Sequence, residues 1–187
     1  MSHRALVPAL VALSLVAACT PGEPTPPGEV AASSKQRITS AAPAADLAAA
    51  VAGNTDFALD LYRKLGAGGG DNLFISPQSI TLALSMAYAG SGGATTTAFE
   101  QVLHQGLPQE RYHRAMNDLD RQLTSRGANA KAADGQPFRL TIANQLFAER
   151  TFSFEAPYLD TLALEYGANV RLMDFVTQPD PSRVAIN

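Results

Sequence analysis

The stretch from Asn72 to Gly90 reads NLFISPQSITLALSMAYAG, and the fold turns on it. Leu73, Phe74 and Ile75 form a short apolar run with strand character. Ser76 stands where a helix N-cap belongs, and Pro77 takes the first helical position, where a missing N–H costs nothing. From Ile80 to Ala89 nearly every residue is apolar or small: Ile80, Leu82, Ala83, Leu84, Met86, Ala87, Tyr88, Ala89. A helix apolar all round is a buried helix, and one of this length is too short to cross a bilayer. Gly90 closes it as a C-cap glycine would. The expectation is a short strand feeding a central helix buried on every side.

NLFISPQSI followed by an apolar helix and a Gly-rich turn resembles the strand 6B to helix B segment of the serpins. Other segments carry the same likeness. NTDFALDLYRKL is similar to serpin helix A, and Phe57, Leu61 and Leu65 fall at i, i+4, i+8 on an amphipathic stripe that begins near Asp46 or near Asn54. Thr95 or Thr96 caps a short helix with Phe99, Val102 and Leu103 on one side, as in helix C. Tyr112, Met116, Leu119 and Leu123 mark a single-faced surface helix over Glu110 to Arg126, in the place of helix D. Phe138 to Ala148 alternates with period two, a strand with one side on a core. Its ANQLFAE resembles the strand 2A motif, with Asn144 at the motif's Asn. YGANVRLMDF, after a helix over Phe152 to Gly167, is similar to the helix E to strand 1A passage. Asp180 then caps and Pro181 opens a last helix, whose Ile186-Asn187 resembles the Ile-Asn pair after which serpin helix F continues.

The resemblance implies an α+β fold: the N-terminal portion of a serpin, with helices A to E, the start of helix F, strands 6B, 2A and 1A, and incomplete sheets. It covers about residues 49–187. The chain is therefore expected to be the N-terminal part of a longer fold, without reactive loop or specificity residue, and on its own to fold poorly or aggregate.

The head of the chain has another character. His3 and Arg4 precede an apolar run from Ala5 to Ala18, so residues 1–18 read as a secretory signal peptide. Val16-Ala17-Ala18-Cys19 resembles a bacterial lipobox, which implies a lipid on Cys19, the chain's one cysteine, and an extracytoplasmic, membrane-anchored or secreted protein. Residues 19–45, rich in Pro, Gly and Ala, are expected to be an extended tether. The serpin domain is expected over 46–187.

Composition narrows the function classes. A net charge of −3 gives no basic footprint for nucleic acid. One Cys and three scattered His (His3, His104, His113) support neither a disulfide framework nor a metal cluster. The glycines of Ser91-Gly92-Gly93-Ala94-Thr95 precede no Lys, so a turn needing positive φ accounts for them better than a phosphate loop. Arg111, Arg114 and Arg121 share one side of their helix, in the place where some serpins bind anionic polysaccharide. Glu110, Asp118 and Asp120 lie among them, and the expected reading is a solvated face. No nucleophile is paired with a base, so the chain reads as non-enzymatic and needs no cofactor.

What the resemblance implies instead is a kinetic trap: a suicide-substrate inhibitor of serine, or alternatively cysteine, proteases that acts by inserting its cleaved reactive loop into the central sheet. Ser76 and Ser79, at the head of the buried helix, match the region through which serpins control sheet opening, and Asn144 is expected to play a structural part there. Two alternatives stay open: a non-inhibitory serpin-like binding protein, and a structural surface lipoprotein.

Overall fold

The computed structural model describes residues 28–69, 72–127, 130–133, 135–136, 140 and 142–187. The signal segment and Cys19 lie outside the described residues. From Gly28 onward the chain runs β1 (Val30–Ala31), α1 (Ala44–Gly66), α2 (Pro77–Tyr88), α3 (Ala94–Val102), α4 (Gln109–Arg126), β2 (Leu146–Glu149), α5 (Ala156–Thr161), a π-helical turn (Leu162–Tyr166), β3 (Val170–Met173) and α6 (Pro179–Ile186). This is the mixed helix and small-sheet architecture expected of the N-terminal portion of the fold.

The sheet has the order β1-β3-β2. β2 and β3 pair in parallel from Leu146↔Val170 to Glu149↔Met173, and α5 with its π-helical turn supplies the crossover such a pair requires. β1 adds an antiparallel edge through Val30↔Arg171 and Ala31↔Val170.

Among the described residues two clusters form the core. Ala50 and Phe57 of α1, Leu82 and Tyr88 of α2, Leu103, and Tyr112, Ala115 and Met116 of α4 make the larger. Met86, Leu162 and Val170 make the smaller, beside the sheet. α2 thus lies between the helical layer and the strands and contributes to both.

α2 is buried on one side only. Thr81, Leu82, Ser85, Met86 and Tyr88 face inward, while Ile80 is 37% exposed and Ala87 is open. Two of the helix's three Ser and Thr residues, Thr81 and Ser85, are on its buried side and Ser79 is half-buried, so the all-round apolar reading gives way to a helix with one bare apolar flank.

Several boundaries differ from expectation. Leu73-Phe74-Ile75 forms no strand, and Phe74 is 98% exposed; a strand exists only where a neighbour completes its ladder, and none of the described residues does so here. Among the described residues of the expected strand and its end, 140 and 142–149, strand structure covers Leu146–Glu149, opposite the four residues of β3. α1 starts at Ala44, and its buried face is Asp46, Ala50, Gly53 and Phe57, of which the small Ala50 and Gly53 let neighbouring elements approach closely. Leu65, at the far end, is exposed. α3 follows Gly93, which takes the positive φ of 56° expected of that turn. α6 begins at Pro179 rather than Pro181.

The tether expected over 19–45 is described only from residue 28, and from there it lies along the body. Besides β1, Ile38 donates its N–H to the Leu164 carbonyl at 2.8 Å, and the Ala42 N–H reaches Asp118 Oδ2 at 3.1 Å.

Candidate functional site

The three residues singled out from sequence lie at two places. Ser76 is the N-cap of α2 but its side chain makes no cap hydrogen bond, and it is exposed. Ser79, one turn on, is half-buried. Asn144 is half-buried in the chain entering β2. It lines a cavity of about 100 Å3 with Leu82 and Met86 of α2, Tyr166 of the π-helical turn, and Arg37 and Asp120. Asn144 therefore meets α2 about one to three turns beyond the serines, which do not line that cavity.

The polar interior beside this cavity is built largely from residues that the sequence reading assigned elsewhere. Ser85 donates to the Thr81 carbonyl at 2.7 Å and shares a 2.9 Å hydrogen bond with the Tyr112 hydroxyl. Burial pushes the Tyr112 phenol up to about 12. Burial, then the hydrogen-bonded Glu100 carboxylate, do the same for Tyr88, also to about 12. His113, on the helix expected to be a single-faced surface helix, is 2% exposed; it is ringed by Tyr88, Tyr112 and Tyr166, and burial lowers it to about 4.

Charge is paired inside as well. Arg114 holds the buried Glu165 carboxylate through Nε (3.0 and 3.1 Å) and Nη2 (2.9 Å). The hydrogen-bonded Glu165 carboxylate holds the Arg114 guanidinium above its ordinary range. Arg111 forks onto Asp46 in the first turn of α1, and this pairing holds the Asp46 carboxyl below its ordinary range. Arg121 stands 4.0 Å from Asp118. The expected solvated arginine face is in fact a row of braces to α1, to the π-helical turn and to its own helix.

The missed face had a signal. His113, Asn117 and Asp120 recur at i, i+4, i+7, a polar stripe of helical period beside the apolar one. Two partially overlapping stripes bury a helix on more than one side. Chemically, this arrangement holds a neutral imidazole, two phenols kept protonated and saturated ion pairs. It fixes helices in place and activates no nucleophile. Among the described residues no group of three or more His, Cys, Asp or Glu is placed to hold a metal ion.

A family model described as Serpin (serine protease inhibitor) matches residues 52–187. The leukocyte elastase inhibitor of Equus caballus is 34% identical over 135 residues, covering 72% of this chain and 33% of that protein. Its counterpart from Homo sapiens is 32% identical over 135 residues, with the same coverage of 72% and 33%. Ipis-1 of Ixodes persulcatus is 33% identical over 135 residues, covering 71% of this chain and 33% of that protein. The chain spans about a third of the length of the curated relatives it matches.

Proposed function

The chain belongs to the serpin family, and from that premise we propose that it serves an inhibitor of serine endopeptidases, as the N-terminal part of its trap. The observation that carries this is the family match across 52–187, together with relatives named as elastase inhibitors. In the complete protein a protease serine attacks the reactive loop, an acyl-enzyme ester forms and the new amine leaves. The cut loop then enters the sheet as a strand, and the protease is carried with it. Here β2 and β3 supply two parallel strands of that sheet, and α2 lies beneath them. Among the described residues the Ser76 and Ser79 side chains have no hydrogen-bond partner, which leaves their hydroxyls for strands that slide over α2. Asn144 lines the cavity with Leu82 and Met86, at the entry to β2.

The test uses the product of the complete gene with elastase-like and chymotrypsin-like proteases. A protease complex that survives boiling in detergent supports the proposal. Cleavage without a complex favours the non-inhibitory serpin-like binding protein, and no interaction with any protease favours the structural lipoprotein. The Cys19 lipid anchor and an extracytoplasmic location belong to the same proposal, supported by Val16-Ala17-Ala18-Cys19 behind an apolar run. Labelled palmitate entering the protein, and its loss in Cys19→Ser, is the expected result.

A further inference from the structure

We infer that residues 28–43 are a releasable clamp, which holds the outer edge of the sheet to α4 and closes one side of the cavity beneath Asn144. The segment is small and polar, with no apolar stripe of its own. It is held by a polar contact at nearly every second residue. The Glu29 carbonyl accepts the Leu172 N–H of β3 at 2.8 Å. Ser33 Oγ donates to Asp160 Oδ1 at 2.6 Å, and Lys35 Nζ stands 2.8 Å from the other oxygen of the same α5 carboxylate. Arg37 Nε donates to Asn117 Oδ1 at 2.9 Å and its Nη2 to Asp120 Oδ2 at 2.7 Å. The Ile38 carbonyl accepts from Asn117 Nδ2 at 2.9 Å.

Three features make this a clamp and not simply the start of the domain. Its partners Asn117, Asp118, Asp120, Asp160, Leu164 and Leu172 all lie within the family-matched residues 52–187, whereas the clamp precedes them. Beyond the small Ala31 and Ala42, which pack at the margins of the two core clusters, its contacts are hydrogen bonds and ion pairs, several of them partly exposed and each individually weak, so the segment detaches as one local unit without unfolding α4. Its Arg37 shares the cavity wall with Asn144, so detachment opens that wall and bares the β3 edge together. Whatever binds or pulls on the residues before Gly28 therefore acts on the sheet. This goes beyond the proposed inhibition, and its test does not depend on that reading.

The test is amide hydrogen exchange on the full chain, read by mass spectrometry. The wild-type amides of Ile38, Ala42 and Leu172 are expected to be protected. Arg37→Ala is expected to speed their exchange about tenfold or more while α3 keeps its wild-type rate. Lys35→Ala, at the more exposed Asp160 end, should release Glu29 to Arg37 with a smaller change and carries less risk to folding. Exchange of the wild-type segment at the rate of an unstructured peptide would overturn the inference. So would a rise spread equally over α1, α3 and α4 in both variants.

Discussion

The His113 Nδ1 and the Tyr166 hydroxyl stand 2.5 Å apart, joining α4 to the π-helical turn at the centre of an aromatic cluster. The other ring nitrogen, Nε2, is buried without a hydrogen-bond partner among the described residues. An imidazole in that position accepts a second proton only by placing charge in an apolar setting, with Arg114, Glu110 and Glu165 the nearby charges on the same cavity.

Acid should therefore weaken the fold through His113. Burial lowers the group from 6.5 to about 4, so the unfolded chain takes up the proton first and stability falls as pH drops through that window. The full loss is on the order of 3 kcal/mol, reached below about pH 4. The Asp46–Arg111 pair persists through this range, because its carboxyl titrates below the ordinary value. Denaturant melts between pH 7 and pH 4 should show the fall in the wild type and a flatter profile in His113→Gln. Parallel profiles would assign the acid sensitivity elsewhere.

Arg114→Ala removes the partner of a carboxylate that is 6% exposed. An unpaired charge left in that position costs about 3 kcal/mol, more than the pair itself contributes. Adding Glu165→Gln to the same variant should recover part of the loss, because the stranded charge is gone. A double variant less stable than Arg114→Ala would argue against this account.

Gly53→Ala tests the approach of α1 to the chain leaving α3. A Cβ there would sit 2.6 Å from the His104 carbonyl oxygen and 3.1 Å from that of Leu103, both backbone atoms. Alanine favours a helix by about 1 kcal/mol over glycine, but overpacking against backbone costs about 1–3 kcal/mol, and contact this short belongs at the upper end. A net loss near 1–2 kcal/mol is expected in thermal melts, and a raised melting temperature would contradict the packing described.

Glu149 ends β2 with its carboxylate accepting the Phe175 N–H at 2.8 Å, the Val176 N–H at 3.2 Å and the Thr151 N–H at 3.3 Å. Glu149→Ala removes those acceptors and should cost about 2 kcal/mol. Faster amide exchange at Phe175 and Val176, with α1 unchanged, is the local signature to measure.

The elements with a strong local pattern were legible. α2 behind Ser76-Pro77, the stripe of Tyr112 and Met116, the 3.6 period ending at Gly167 and the strand at Val170 all read directly from residue spacing. Gly167 takes φ 60° at the end of the π-helical turn, as its place after Tyr166 suggested. What failed to read depended on partners distant in sequence. Phe74 and Ile142 have strand-like neighbours in sequence but no ladder to join among the described residues. His113 and Asn117 are polar on a helix that looked one-sided, and only Tyr166, Glu165 and Arg37, about fifty to eighty residues away, make their burial possible. Residues 28–43 carry no periodic signal at all, since side-chain and backbone hydrogen bonds to the body impose none. Of the candidate site, the motif named Asn144 but not its neighbours Leu82 and Met86, and the hydroxyls that do pack inside, Thr81 and Ser85, were hidden within an apolar run.

The π-helical turn at Leu162–Tyr166 carries one more residue than an α-helical turn would need for the same rise. A residue in a helix advances the side-chain direction by about 100°, so the insertion re-aims everything downstream of it. Glu165 and Tyr166 meet Arg114 and His113 because of that phase slip. Deleting one residue from the turn would leave its composition nearly intact yet swing the phenol out of the aromatic nest. Length, more than chemistry, is what the turn cannot give up.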